Sequence, residues 1–490
     1  MKEQMSIYAQ KYWGFLALGA WVLCAILFDL IRLDAYGLEE QAARALLLNW
    51  SVSDNIVNPI VIFGIPDFRA LLFIPVGTYW AGSMLAAKIF SLMIAFAAVT
   101  VLYRWATRMF DQDSALIAAA LLLISPLLIH ELDGLGSGHY LLLGFGVLAW
   151  LDMKYRSKDG YFGGWYFSMI LVTALMVTIH PMGMAAPFGL FLHWILKPDA
   201  RKKSLHMIVG LAISTTIALS MSHGWFNGEW FANPISILAS SFNGAVYWVP
   251  ENPSIGLGLL FAIFSIVVLL ANSQQFKSNL LGLLLLCALA LGVLQADRAW
   301  ALMLLAMTLF GAIPLLTRIN DRFKGQGFIA KRGLVGLIAF IVCTNFMLQA
   351  KDHSIANQLH TLSPIDELIE KLANKAADKS APFRAASEWP GRAMLATKRD
   401  IYPLPPVIDE LEEFRKISKG LTHMMFDPFN EKNKSIADHL ANMTGETETS
   451  VYLKAGVIVD IRDHNVEASN YRAPIKDSEK QNGSHKEDDE

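Results

Sequence analysis

Glu39 and Glu40 stand side by side in the stretch Arg32-Leu-Asp-Ala-Tyr-Gly-Leu-Glu-Glu-Gln-Ala-Ala-Arg-Ala-Leu-Leu-Leu-Asn-Trp50, with a third carboxylate, Asp34, five residues before Glu39. A positioned carboxylate can take a proton from an attacking nucleophile, so such a pair is a candidate general base. A second concentration lies at His130-Glu-Leu-Asp-Gly-Leu-Gly-Ser-Gly-His139, where two imidazoles and two carboxylates fall within ten residues. Three readings of it are open. His130, Glu131, Asp133 and His139 match no recognised metal-ligand spacing, so a divalent cation has no support from the pattern. A solvated turn would use Gly134, Gly136 and Gly138 for their backbone freedom. The third reading is the polar wall of a cavity shared with the first loop. The candidate cations are Arg69, Lys88 and Arg298. Lys88 lies about one turn inside an apolar segment, where it either faces a partner or snorkels to the membrane interface. Arg298 follows Asp297 directly, most simply as an ion pair, and His180-Pro-Met-Gly183 reads as a helix break.

The elements that must position these residues are set by composition. With 54% hydrophobic residues, 17% charged and a mean hydropathy of +0.38, the 490-residue chain is suited to a bilayer rather than to water. Leu38, Ala42, Ala45, Leu46 and Trp50 recur at helical spacing, which predicts an amphipathic interfacial helix with Glu39 and Glu40 in its first turn. Carboxylates also favour a helix N-terminus on dipole grounds alone, so a capping role stands beside the catalytic one. No basic stripe with interleaved aromatics occurs, which excludes a nucleic-acid surface. Cys24, Cys287 and Cys343 all fall in apolar runs and imply no disulfide framework.

About eleven spans are predicted: 13–31, 83–103, 114–130, 139–152, 165–181, 183–196, 205–222, 256–271, 279–295, 298–317 and 333–349. The first is longer than a signal-peptide core and has no small-residue cleavage site after it, so it reads as a retained helix. The segment 165–196 is either two spans or one broken helix, because of Pro181, Pro187 and nearby glycines. Lys and Arg collect in alternate loops, at Arg104 and Arg108, Lys154 to Lys158, Lys197 to Lys203, Lys277, and Arg318 to Arg332. The positive-inside rule then sets the N-terminus in the cytoplasm and leaves the first loop, 32–82, and everything after Gln349 outside. The stretch from Ser222 to Gly256 has no Lys or Arg and several aromatics, as an external interfacial loop would. Residues 1–350 are thus expected to form a transmembrane domain and 351–470 a small extracytoplasmic α/β domain. Helical charge patterning at Ser363–Leu372 and a strand-like run at Val451–Asp460 support the latter. Residues 471–490 have a disordered composition.

Leu38-Glu-Glu-Gln-Ala-Ala-Arg-Ala-Leu46 resembles the acidic pair and small-residue helix that follow the first span in membrane glycosyltransferases of the GT-C class. The similarity is greatest to the bacterial family of dolichyl-phosphate-mannose protein mannosyltransferases and aminoarabinose transferases. It continues through Asp67-Phe-Arg-Ala-Leu-Leu-Phe-Ile-Pro-Val-Gly-Thr-Tyr-Trp80, Ala86-Ala-Lys-Ile-Phe-Ser91, Tyr103-Arg-Trp-Ala-Thr-Arg-Met-Phe-Asp111, Ser114–Ala120 and Ser125-Pro126. Three departures stand beside it. Glu-Glu replaces the usual Asp-Glu, Ile65-Pro-Asp-Phe-Arg69 replaces a His-Pro-Pro-like stretch, and Gly138-His139-Tyr140 replaces a Thr/Ser-Asp.

The resemblance implies a polytopic α-helical GT-C-like membrane protein of the cell inner membrane. Such a protein moves a sugar from a polyprenyl-phosphate donor to an extracytoplasmic acceptor. Glu39 or Glu40 would act on the acceptor, with Asp34 in reserve. Arg69, Lys88 and Arg298 would neutralise the donor phosphate, with Glu131, Asp133, His139 and Asp297 lining the substrate site. The alternative is a catalytically inactive relative serving as a scaffold or subunit of an envelope complex. A transporter is disfavoured, because no internal symmetry is visible and charges cluster at span ends.

Overall fold

The computed structural model describes residues 14, 17–50, 69–109, 112–156, 163–195, 206, 208–213, 215, 280–292, 298–322, 328–378, 382–443, 447–453 and 455–461. The spans expected at 256–271 and, for the most part, 205–222 lie outside these residues, as do the loop between them and the tail 471–490. By their contacts the residues form two compact units that do not follow chain order. One holds Met1–Leu33, Asp67–Leu72 and Ser83–Thr361; the other holds Asp34–Pro66, Phe73–Gly82 and Leu362–Glu490.

The first unit is helical. Its helices include Ala17–Leu27, Met84–Met109, Gly138–Arg156, Gly164–Ile179, Ala185–Ile195, Leu280–Gly292, Arg298–Arg322 and Phe328–Gln358. Ala87, Ser91, Ala95, Ala98, Leu102 and Ala106 form one buried row of mostly small residues along Met84–Met109, which lets neighbouring backbones approach closely. A side chain at Gly146, on the helix Gly138–Arg156, would collide with Val101 on that helix. Large apolar residues such as Phe167, Leu171, Phe188, Leu337, Phe340 and Leu348 stay exposed, which water does not favour and lipid does. Among the described residues one helix, Met84–Arg108, is by length and composition sufficient to cross a membrane. A bent pair, Gln112–Leu123 with Pro126–Asp133, is a second candidate.

The single span expected at 114–130 is therefore two legs meeting at 48°. Pro126 has no N–H to continue the first leg, and Ser125 caps the second by accepting the Leu128 N–H at 3.2 Å. The second leg runs to Asp133 and ends at Gly134. In the region 165–196 the break falls at His180, whose backbone is extended and whose Nδ1 accepts the Met182 N–H ahead of a 3-10 turn, Pro181–Met184. The helix Phe328–Gln358 runs past residue 350 without interruption. Ser354 and Asn357 then donate to the carbonyls of Phe28 and Asp29, at 2.5 and 2.9 Å.

The second unit mixes helices with a five-stranded sheet ordered β2-β1-β3-β5-β4. Its strands are β1 (Ala385–Ser387), β2 (Ile401–Pro403), β3 (His423–Phe426), β4 (Thr447–Leu453) and β5 (Gly456–Ile461). β1 pairs parallel with β2 and β3, while β5 pairs antiparallel with β3 and β4. The strand-like run 451–460 is thus divided between two strands of a hairpin. Phe414, Leu421, Met424, Phe426, Ile436, Leu440, Val457 and Val459 form the core on the sheet. The helix Pro364–Ala377 begins as its sequence dictates: Ser363 accepts the Asp366 N–H at 3.2 Å, Pro364 takes the first position, and acidic residues fill the first turn. The helices Glu40–Trp50 and Ile74–Tyr79, from the first loop, belong to this unit.

Candidate functional site

In the helical unit the polar residues gather around Asp133. Lys88, 1% exposed, donates to both the Oδ1 and the main-chain carbonyl of Asp133, the former at 3.2 Å. The Arg32 N–H donates to the same Oδ1 at 2.7 Å, and His353 Nε2 lies 3.5 Å from Oδ2. The His130 ring meets the His353 ring edge to face at 4.3 Å. Lys88 therefore does not snorkel: it is buried against a carboxylate. Asp133 terminates the leg that Pro126 redirects, so the bend is what carries it to Lys88.

The turn that follows is not solvated. Glu131, Asp133, Ser137 and His139 are all buried. Glu131 folds back to accept the Gly138 N–H at 2.8 Å, and Arg69, completely buried, donates to the Leu135 carbonyl at 3.0 Å. The left-handed residue is Leu135, at φ 52°, not one of the three glycines expected to supply turn conformations. Gly136 and Gly138 serve space instead: a Cβ at either would sit 2.5 or 2.8 Å from the Glu131 Oε2. His139 shares a 2.7 Å hydrogen bond with Ser91 through Nε2, while its buried Nδ1 has no partner among the described residues. Arg298 opens its helix and is exposed; Asp297 lies outside the described residues. Among the described residues of this region the buried charged groups are Arg32, Arg69, Lys88, Glu131 and Asp133.

His353 and Arg32 were not singled out by sequence reasoning. His353 lies beyond the apolar run, and only the continuation of the helix past residue 350 brings it to Asp133. The signal for it was weak but present: Gln349, His353 and Asn357 recur at the four-residue spacing of one helix face.

In the second unit the acidic pair opens the helix Glu40–Trp50. Glu39 is the residue before its first turn, and its carbonyl accepts the Ala43 N–H at 2.9 Å. Ala42, Ala43, Ala45, Leu46, Leu47 and Trp50 are buried, and the helix packs on Pro390–Thr397. The face expected to lie on the membrane interface is covered by protein. Glu40 reaches the N-terminus of that second helix and accepts the N–H groups of Gly391 at 2.8 Å and Arg392 at 3.1 Å. It also pairs with Arg44 at 2.8 Å. Trp389 offers that helix no side-chain cap, so Glu40 supplies from a distance the acceptor and negative charge an N-terminus favours. Arg392 in turn forms an ion pair with Asp366, whose Oδ1 accepts the Gly37 N–H at 3.1 Å. Asp34 accepts the Tyr36 N–H at 3.1 Å in a local turn.

No family model matches the sequence, and no curated protein aligns with it. Solved structures do match. A structure of ArnT from Cupriavidus metallidurans bound to undecaprenyl phosphate superposes with a TM-score of 0.53 over 93% of this chain and 99% of that one, at 11% identity. The same protein in its apo state gives 0.51 over 92% and 98%, at 12% identity. The archaeal oligosaccharyltransferase AglB from Archaeoglobus fulgidus, in complex with an inhibitory peptide and a dolichol-phosphate, gives 0.52 over 86% of this chain and 70% of that one, at 12% identity. The fold is that of the GT-C glycosyltransferases. The match extends over 93% of this chain, so the residues around Asp133 and those around Glu40 both belong to the length compared. The GT-C architecture is polytopic and membrane-embedded.

Proposed function

We propose that the chain transfers a sugar, with inversion, from a polyprenyl-phosphate donor to an extracytoplasmic acceptor. The observation that carries this reading is the gathering of two buried cations, Arg69 and Lys88, at the turn that holds Glu131 and Asp133, in a protein with a GT-C fold. Cations held in a water-poor site are suited to stabilising an anion, and a lipid-linked phosphate is such an anion. In the reaction the acceptor's oxygen or nitrogen attacks the anomeric carbon from the face opposite the phosphate. The bond between that carbon and the phosphate oxygen breaks, and its electron pair leaves with the polyprenyl phosphate. The acceptor's proton passes to a carboxylate. Lys88 and Arg69 stabilise the departing phosphate, an electrostatic role suited to groups already held in place.

Of the acidic pair, Glu39 is the better base. Glu40 is committed to two backbone amides and Arg44, which leaves Glu39 of the two as the residue whose carboxylate is assigned to the acceptor. Asp34 stays in reserve. The protein resides in the cell inner membrane with its N-terminus in the cytoplasm and residues beyond 361 outside, a reading supported by the loop distribution of Lys and Arg.

The test is transfer by purified protein from labelled polyprenyl-phosphate sugars. Glu39→Gln should lower the rate by about 10² to 10⁴, the usual worth of a positioned base, with the protein still folded. If wild-type protein transfers from no such donor, the enzyme reading fails and the scaffold reading takes its place. Full activity in both Glu39→Gln and Asp34→Asn would refute the assigned bases.

A further inference from the structure

The four residues Gly37-Leu-Glu-Glu40 are held at both ends by residues more than 300 positions away in sequence. At one end the Gly37 N–H donates to Asp366. At the other, Glu40 accepts from the amides of Gly391 and Arg392. The two anchors are joined, because the Arg392 guanidinium pairs with Asp366 and the Ser363 hydroxyl donates to the other oxygen of Asp366 at 2.6 Å. Gly37 itself sits at φ 76°, a left-handed conformation that turns the chain into the helix and that a side chain would strain. Gly391 is as constrained at the opposite end: a Cβ there would lie 2.9 Å from Glu40 Oε1 and 2.8 Å from the Arg44 Cγ. Glu39 lies between the two anchors.

We propose that Asp366, Arg392 and the Gly391–Arg392 amides form a positioning clamp for the acidic turn, making the segment 363–397 an integral part of the catalytic unit rather than an appended domain. This rests on the transferase reading for its kinetic consequence, though not for the clamp itself. The physical basis is that a base must be held to within a fraction of an ångström, and a turn ahead of an eleven-residue helix has few local means of being so. Two charge-assisted anchors across one turn restrict both its translation and its pivot.

The experiment compares Asp366→Asn and Arg392→Met with wild type in the full-length protein, by amide hydrogen exchange and by transfer kinetics. Exchange of the amides of residues 37–43 should rise in both variants, while that of Met84–Met109 stays at the wild-type rate. The kcat should fall roughly 10- to 100-fold, the order expected for misplacing a catalytic group, with KM for the polyprenyl-phosphate donor little changed. Arg392→Lys, which keeps the charge opposite Asp366, should recover part of both. Should Asp366→Asn fail to fold, Gly391→Ala perturbs the other anchor, at Glu40, through bulk alone and should likewise raise exchange at residues 37–43. Wild-type exchange at 37–43 in these variants overturns the clamp. Raised exchange with unchanged kcat overturns its kinetic role. Wild-type protein without transfer activity refutes the transferase reading instead, and the exchange measurement then decides the clamp alone.

Discussion

Replacing Glu40 by glutamine removes a charge and one acceptor while leaving side-chain volume almost unchanged. Oε1 of Glu40 accepts from the Gly391 N–H and the Arg44 Nε, both at 2.8 Å, and Oε2 accepts from the Arg392 N–H at 3.1 Å. Glutamine has a single oxygen, so in either orientation its NH2 group must face a backbone N–H. One amide donor of the helix Pro390–Thr397 loses its partner, and the remaining bonds become neutral ones. A hydrogen bond to a charged group contributes about 1.5–3 kcal/mol and a neutral one about 0.5–1.5 kcal/mol. The Glu40 side chain is 20% exposed, so part of the loss is screened, and a net cost of about 2 kcal/mol is expected in the local stability of this contact. At 1.36 kcal/mol per tenfold, that corresponds to about 30-fold faster hydrogen exchange of the amides at the start of Pro390–Thr397. The same measurement on Glu39→Gln should show wild-type exchange there, because Glu40 still caps the helix. An exchange rate unchanged in Glu40→Gln would show that the carboxylate does not hold the helix, and the division of labour between the two glutamates would fall.

Lys88→Met leaves Asp133 buried without its cation and should destabilise the helical unit by about 3–5 kcal/mol, whereas the double variant Lys88→Met/Asp133→Asn should lose less; a double-mutant cycle with no coupling would refute the pair. Gly136→Ala drives a Cβ into the Glu131 carboxylate and should cost about 1–3 kcal/mol, read as a lowered unfolding midpoint. Burial lowers the pKa of His423 below its ordinary 6.5, with Asp460 at 3.6 Å opposing and Lys375 adding to the shift. Because the folded state binds the proton less readily than the unfolded one, the stabilisation is present above about pH 6.5 and lost as pH falls below it. His423→Gln should flatten the dependence of the second unit's midpoint on pH between 5 and 7.5. A reporter fused after Gln358 should be active only if exported and one at Lys202 only if cytoplasmic, and finding both on one side would overturn the proposed orientation.

Apolar helices, the break at His180-Pro181, the helix at Ser363 and the chemical interest of Glu39, Glu40, Lys88, Asp133 and His139 were legible in the sequence because each depends on local information: hydropathy, a missing N–H, a cap, or an ionisable group where water is scarce; Pro126, inside an otherwise apolar run, was read through as part of one span. What that information could not contain is partnership. Lys88 and Asp133 are 45 residues apart, and only a 48° bend brings them together. Two glycines that read as turn residues are there to admit the Glu131 carboxylate, a steric fact about a folded-back side chain. Asp366 and the Gly391–Arg392 amides hold the turn around Glu39 across some 330 to 350 residues of sequence. Capping by Glu40 is invisible in the chain around Pro390, since helix propensity looks only a few residues to either side, while a carboxylate satisfies any amide that the fold delivers to it. The composition of the helices followed from local sequence; the charge balance around Asp133 and the anchoring of the acidic turn were decided by tertiary structure, because both depend on distances between segments that sequence spacing does not set.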